Sequence, residues 1–537
     1  MDYRYAISLI FEAHLPFVRE YKKDGALTQS GEEGRFFDFV SESFLPLLET
    51  LNRLENDHVP FRITIAFSPV LCHMLNDEPL QNKYLHYIDK QIEFGKHELD
   101  RTANDAELNK LVHGYLNHIT ESRTAYIDIY EKNLLKAIDS FRRKGKVEIM
   151  ASCATHAFLP FISCNHESMQ AQMEIPVPTY RKYFGGTPQG FWIPWLGWNQ
   201  ELEPYLTAHN YTYTVLDSHG LLFGNPMPEK GCFFPAKTPN GTFIIARDLH
   251  AVSEIRKYAA DEIYLNSERD AGYELPHDII SPFVTEEGKR HRTGYKYWSR
   301  CASAYNGNAQ NIYNPKAASE KVKQHAKTFL ENTIARLEEA SKYMDKPPIS
   351  VNAHTAASFG HYWYEGSQFL EALFRMAKDI SGLKFECPSE YIFKQELSSI
   401  QTLIPEYTSC GINGYAETWL NVSNDWIYRH LLRAMERMTE LAERFPDDTG
   451  LKERALNQAA REILLAQSSD WPALLHKQDS TEYAHKKAEN ALRNFTTIYE
   501  ALGSNYISTE WLTTLERKHN IFPNINYRVF RRKNNVK

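Results

Sequence analysis

At 537 residues the chain is longer than one ordinary domain and has the length for a barrel with an appended helical region, so two or three domains are expected. A net charge of −7 excludes nucleic acid and anionic membrane as natural partners, because both attract a basic surface. The one basic run, Arg528, Arg531, Arg532 and Lys533, reads as a solvated terminus.

The chain opens with MDYRYAISLIFEAHLPF, an apolar run broken by Glu12 and His14. It is expected to be neither a signal peptide nor a spanning helix. Seven cysteines, an odd number with no CxxC spacing, argue against a secreted disulfide framework or a zinc ribbon. A cytoplasmic location is expected. Short β-rich apolar runs then recur at 3–11, 61–67, 146–152, 190–193, 211–216, 242–246 and 348–352. Most are almost continuously hydrophobic, as strands covered on both faces are, and helical segments lie between many of them. The pattern predicts a parallel α/β barrel.

Polar or aromatic residues follow nearly every run: Glu12 and His14, Ser68, Thr155 and His156, Trp195 and Trp198, Asp217 and His219, Asp248, then Asn352, His354 and Thr355. The C-terminal ends of parallel barrel strands converge on one mouth, where a site is built from several strands at once. Ordinary polar punctuation before loops is the alternative. Between the second and third runs, 76–144 shows apolar residues at helical spacing, among them Leu85, Ile88 and Ile92, and predicts a helical insertion. From about Glu417 onward the chain reads as helical, with Leu431, Met435, Met438 and Leu441 on one stripe, which is the pattern of a packed bundle.

Six ordered segments carry a resemblance: EAHLPFVRE at 12–20, CATHAFLP at 153–160, GFWIPWLGW at 190–198, SFGHYWYEG at 358–366, ETWLNVSNDWIYRHL at 417–431 and LAQSSDWP at 465–472. Together they resemble glycoside hydrolase family 57, particularly its α-1,4-glucan branching enzymes. The resemblance implies an α/β fold: an incomplete (β/α)7 barrel at 1–75 and 145–395, a helical insertion at 76–144 and an all-α C-terminal domain at 396–537. It implies no cofactor and no metal. An α-glucan or oligosaccharide is the implied ligand, with no partner protein specified.

Retaining glycosidases use two carboxyl groups about 5 Å apart, one as nucleophile and one as acid and base. The family's nucleophilic Glu falls on Trp195 here, its acid-base Asp on Thr355, and a further Glu on Ala357. An indole neither attacks nor ionises, and a threonine hydroxyl does not exchange protons near neutral pH as a tuned carboxyl does. Catalytic residues are therefore expected to be absent, and the chain reads as a pseudoenzyme with a binding or scaffold role. The strand-end pattern and the resemblance together make the substrate-binding candidates His14, His156, Trp195, Trp198, Asp217, Arg269, Gly294, His354, Trp419, Asp470 and Trp471. The family's glycine- and proline-bearing loop maps onto 253–269, which lacks both residues and reads as helical. Two rivals stay open. Glu12, Asp217, Asp248, Glu254, Asp270 or Asp470 could supply relocated carboxylates for an active glucan enzyme, and Glu12 with His14, His156 and His354 could hold the metal of a hydrolase or deacetylase.

Overall fold

The computed structural model describes residues 3–19, 31–284, 288, 290–301 and 311–533. Among these, nine strands form one sheet: β1 Tyr5–Ala13, β2 Ile63–Phe67, β3 Val147–Ser152, β4 Gly190–Trp192, β5 Tyr213–Leu216, β6 Ala236–Lys237, β7 Phe243–Ala246, β8 Ile349–Thr355 and β9 Leu383–Phe385. The order is β6-β7-β5-β4-β3-β2-β1-β8, with β9 paired to the start of β1. From β7 to β8 the seven strands are parallel, and only the two-residue β6 runs antiparallel at the edge. These seven are the runs read from the sequence. β6 and β9 are too short to show a pattern there.

The strands are buried on both faces. One set of side chains, including Ala6, Ile10, Ala66, Met150, Tyr213, Val215, Ile245 and Val351, packs into the barrel interior. The alternate set, including Ile7, Leu9, Phe11, Ile63, Ile65 and Phe67, packs against the surrounding helices. Gly190 on β4 is dictated by this interior, because a Cβ there would lie 2.3 Å from the Tyr213 ring. The barrel is incomplete between β7 and β8, and Asp248 bridges the seam. Its backbone N–H donates to the Val351 carbonyl at 2.8 Å, and its carboxylate accepts from Ser350 Oγ at 2.6 Å.

The expected helical insertion is present as Glu78–Arg101, Ala106–Thr124 and Leu134–Arg143. Asp77 and Asp105 cap the first two by accepting the Leu80 and Leu108 N–H groups. The C-terminal region packs Asp425–Arg444, Gly450–Ala466, Asp470–Lys477, Thr481–Gly503 and Thr509–Lys518 around Ala and Leu contacts. The segment expected to be helical over 253–269 is helical only in its first half, within Leu249–Ala259. Beyond it, tertiary partners win: the Leu265 N–H donates to Glu365, and the chain pairs with Ser299. Among the described residues no helix is long and apolar enough to cross a membrane.

Candidate functional site

Parallel register sets the mouth of the barrel. Glu12 near the end of β1 is the direct neighbour of Thr355 at the end of β8, and it accepts a hydrogen bond from Trp192 Nε1, at the end of β4, at 2.6 Å. Glu12 also meets His156 Nε2 at 2.7 Å. Burial pushes the Glu12 carboxyl up, but His156, His14 and the indole N–H outweigh it and leave its pKa below the ordinary value.

His14 forms the matching pair. Its Nε2 lies 3.0 and 3.1 Å from the two Asp470 oxygens, and its Nδ1 lies 2.9 Å from Ser68 Oγ. Ser68 is also the cap of Pro69–Leu75, accepting the Leu71 N–H, so one hydroxyl both starts a helix and orients an imidazole. Burial and the neighbouring His156 lower the His14 pKa despite Asp470. Burial raises Asp470, yet His14 and the Ser468 hydroxyl bring it down to about 2. One ligand atom from each of His14, His156 and Asp470 lies within 4.8 Å of the others, the spacing of a possible metal set, and His354 is not part of that group.

Trp195 lies just past the end of β4. Its φ of 58° is left-handed, a conformation that costs a residue with a Cβ about 1–2 kcal/mol. Three contacts hold it: Nε1 donates to Ser469 Oγ at 2.7 Å, and the ring meets His156 edge-on at 5.3 Å and Trp419 at 5.2 Å. Lys477 Nζ lies 5.9 Å above the ring. Trp195 borders two cavities. One, of about 370 Å³, is also lined by Glu12, Thr355, His354 and three arginines. The other, of about 660 Å³, is bordered by Ala357, Tyr362, Asp470, Asp38 and Arg35.

The structure brings His14, His156, Trp195, Asp470 and Trp419 together, with His354 and Thr355 across the smaller cavity. It does not bring the other candidates to either cavity. Trp198 is fully buried in the core, and its backbone pairs with Thr408. Trp471 is buried and donates its Nε1 to the Leu465 carbonyl. Asp217 caps Ser218–Leu222 and binds Arg247 Nη2 at 2.5 Å. Arg269 pairs with Glu274 and stacks over Trp298, and Gly294, at φ 81°, donates its N–H to Asp270.

The possible relocated carboxylates are likewise engaged. Asp248 holds the seam, Glu254 bonds Tyr258 and Asn332, and Asp270 accepts from Gly272, Thr293 and Gly294. None of these three borders the two cavities. A pair that sequence reading missed is Asp38 with Glu42, one helical turn apart. Burial and the Glu42 charge push Asp38 up to about 6. Glu42, despite burial, is brought to about 2 by Lys296 and His361. Arg247, Arg256 and Arg300 were also missed. Only Arg247 carried a signal, since it directly follows β7.

Residues 8–402 match Glycosyl hydrolase family 57, and residues 430–530 match 1,4-alpha-glucan branching enzyme, C-terminal. A 1,4-alpha-glucan branching enzyme of Thermococcus kodakarensis is 25% identical over 96% of this chain and 77% of its own length. Among solved structures, the alpha-amylase AmyC from Thermotoga maritima is 32% identical with a TM-score of 0.91, covering 99% of both chains. A GH57-type branching enzyme from Pyrococcus horikoshii is 24% identical with a TM-score of 0.88, covering 99% of this chain and 98% of that one, and shares the fold.

Proposed function

The chain belongs to glycosyl hydrolase family 57, and from that premise we propose that it is a branching-enzyme-like member that no longer makes or breaks glycosidic bonds. Its remaining role is to bind an α-glucan or another carbohydrate at the barrel mouth, alone or as a scaffold. The observation that carries this reading is the makeup of the cavity shared by Trp195 and Thr355. Among the described residues its one lining carboxylate is Glu12, already committed to His156 and Trp192. Double displacement needs a second carboxyl about 5 Å from the first. Loss of both groups should leave little beyond background. The Thermococcus relative has been crystallised in complex with glucose, which supports a sugar ligand here. Cysteines left out of any disulfide, such as Cys72, Cys153, Cys164 and Cys387, support a reducing, cytoplasmic setting.

Incubating the purified protein with amylose, while following iodine colour and reducing ends, tests the proposal. No change is expected. Retardation in glycogen or maltoheptaose gels is expected if the cleft binds glucan, and unaltered migration would leave only a scaffold role.

One observation favours a second reading, an active glucan enzyme using other carboxylates. Asp38 borders the larger cavity with a raised pKa beside a depressed Glu42, the divergence that separates an acid from an anion in glycosidases. Against it, Asp38 is buried and accepts from Tyr87, while Glu42 is bound to Lys296 and His361. Amylose turnover abolished by Asp38→Asn would establish this second reading and end the first.

A further inference from the structure

The smaller cavity is basic. Among the described residues, Arg247, Arg256 and Arg300 line it against the single carboxylate of Glu12. Arg247 gives one Nη2 N–H to Asp217, while its Nε, in a residue only 9% exposed, has no hydrogen-bond partner among the described residues. His354 Nε2 is equally unpartnered in a residue 8% exposed. Burial, with Arg247 and Arg256 alongside, holds the His354 pKa down at about 3, so its ring is neutral and free to donate from Nε2 in one tautomer. Arg300 directs its N–H groups to the Leu265 and Tyr362 carbonyls and to Ser267 Oγ, not to a carboxylate. Arg256 lies on the exposed side of Leu249–Ala259, with no carboxylate bonded to it among the described residues.

A buried donor left without an acceptor costs about 1–3 kcal/mol. Arg247 Nε and His354 Nε2 have almost no accessible surface and reach a ligand only after a side-chain shift, whereas an anion in this cavity would bring its charge directly to guanidinium groups suited to forked contact with phosphate oxygens. The rest of the wall is mostly apolar and includes the rings of Trp195, Tyr362 and Trp363 beside Leu196, Ile255 and Ala353. Such rings accept the apolar face of a sugar. A volume of about 370 Å³ lies at the small end of ligand sites.

We infer that this cavity binds a small phosphorylated sugar, its phosphate held by Arg247, Arg256 and Arg300 and its ring set against Trp195 and Tyr362. The inference rests on the non-catalytic reading above and names the ligand class of that same site. A retaining glycosidase keeps acidic groups where the sugar sits. Here the positions are indole and hydroxyl, and the surrounding charge is positive.

Titration calorimetry on the full-length protein tests it, using glucose 1-phosphate, glucose 6-phosphate, glucose and inorganic phosphate as separate probes. At least one hexose phosphate should bind at least about tenfold more tightly than either glucose or inorganic phosphate, a difference of about 1.4 kcal/mol. Affinity should weaken with added salt. Arg256→Ala, on an exposed helix face, should weaken it about tenfold without moving the thermal midpoint. Glucose binding as tightly as both phosphates, inorganic phosphate matching them, or Arg256→Ala keeping full affinity would each overturn the inference. Amylose turnover by the same preparation would overturn the non-catalytic reading instead, and the titrations separate the two failures.

Discussion

The His14 and His156 imidazoles lie face to face, with ring centroids 3.7 Å apart and planes within 8° of parallel. Each is tied at its edge to a different carboxylate, His14 to Asp470 and His156 to Glu12. This stack is the floor on which Trp195 rests, and it decides between a charge network and a metal centre. A zinc ion bonded at about 2 Å to one nitrogen of each ring would have to leave both ring planes, where imidazole has no lone pair.

Zinc and EDTA should therefore leave thermal stability unchanged. A specific site would stabilise by about 2.7 kcal/mol at a hundredfold excess of ion over Kd, which a melting curve reads directly. A rise in midpoint on adding zinc, lost in His14→Ala, would establish a metal centre.

Acid should destabilise the fold in two overlapping windows. His354 is held at about 3, below its unfolded value of about 6.5, so the unfolded chain takes up that proton first. Stability falls as pH drops below about 6.5, at about 1.4 kcal/mol per unit, or about 2 kcal/mol by pH 5. Asp470, at about 2 when folded, contributes stability above its unfolded value of about 3.9 and loses it as pH falls toward 2. Urea midpoints at pH 7.5 and 5 should diverge less in His354→Gln than in the parent chain. Equal divergence would remove His354 from the account.

Trp195 carries two opposed terms. Replacing it by Ala discards its contacts with His156, Trp419 and Ser469, at a cost near the lower end of the 3–5 kcal/mol typical of tryptophan truncation, since the ring is only part-buried. Glycine adopts the left-handed φ without the Cβ clash that alanine keeps, so Trp195→Gly should lose about 1 kcal/mol less than Trp195→Ala. Chemical denaturation of both variants checks the order, and a reversed order would mean the backbone there is not strained.

Ser350→Ala should cost roughly 1.5–3 kcal/mol, the value of a buried hydrogen bond to a charged group, because it strips one donor from Asp248 at the seam between β7 and β8. The loss should appear as a lower unfolding midpoint. A variant as stable as the parent would show that the Ser350 donor adds nothing to the backbone bonds at the seam, Asp248 to Val351 and Ile349 to Phe233.

The seven parallel strands were legible because burial on both faces writes a continuous apolar run. The mouth was legible only in part. Ser68, Asp217 and Asp248 do sit past strand ends, but each caps a helix, and a cap and a ligand contact share the same residue types. Trp198 and Trp471 belong to recognisable motifs, yet a motif position does not say whether an indole faces a cavity or the core. Arg256 and Arg300 reach the site from a helix and an irregular segment with no periodic signature. Asp38 and Glu42 were invisible because their divergent ionisation depends on Lys296 and His361, more than 250 positions downstream.

Asp470 lies 456 positions beyond the histidine it hydrogen-bonds, and Ser469 comes from the same distant turn. A ribosome emits the strands long before that turn, so the nascent barrel waits with His14 unmatched and Trp195 unanchored. Completion of this mouth is thus among the last events of biosynthesis, and a product halted near residue 460 would hold the strands and the stacked histidines without the Asp470 and Ser469 contacts that fix them.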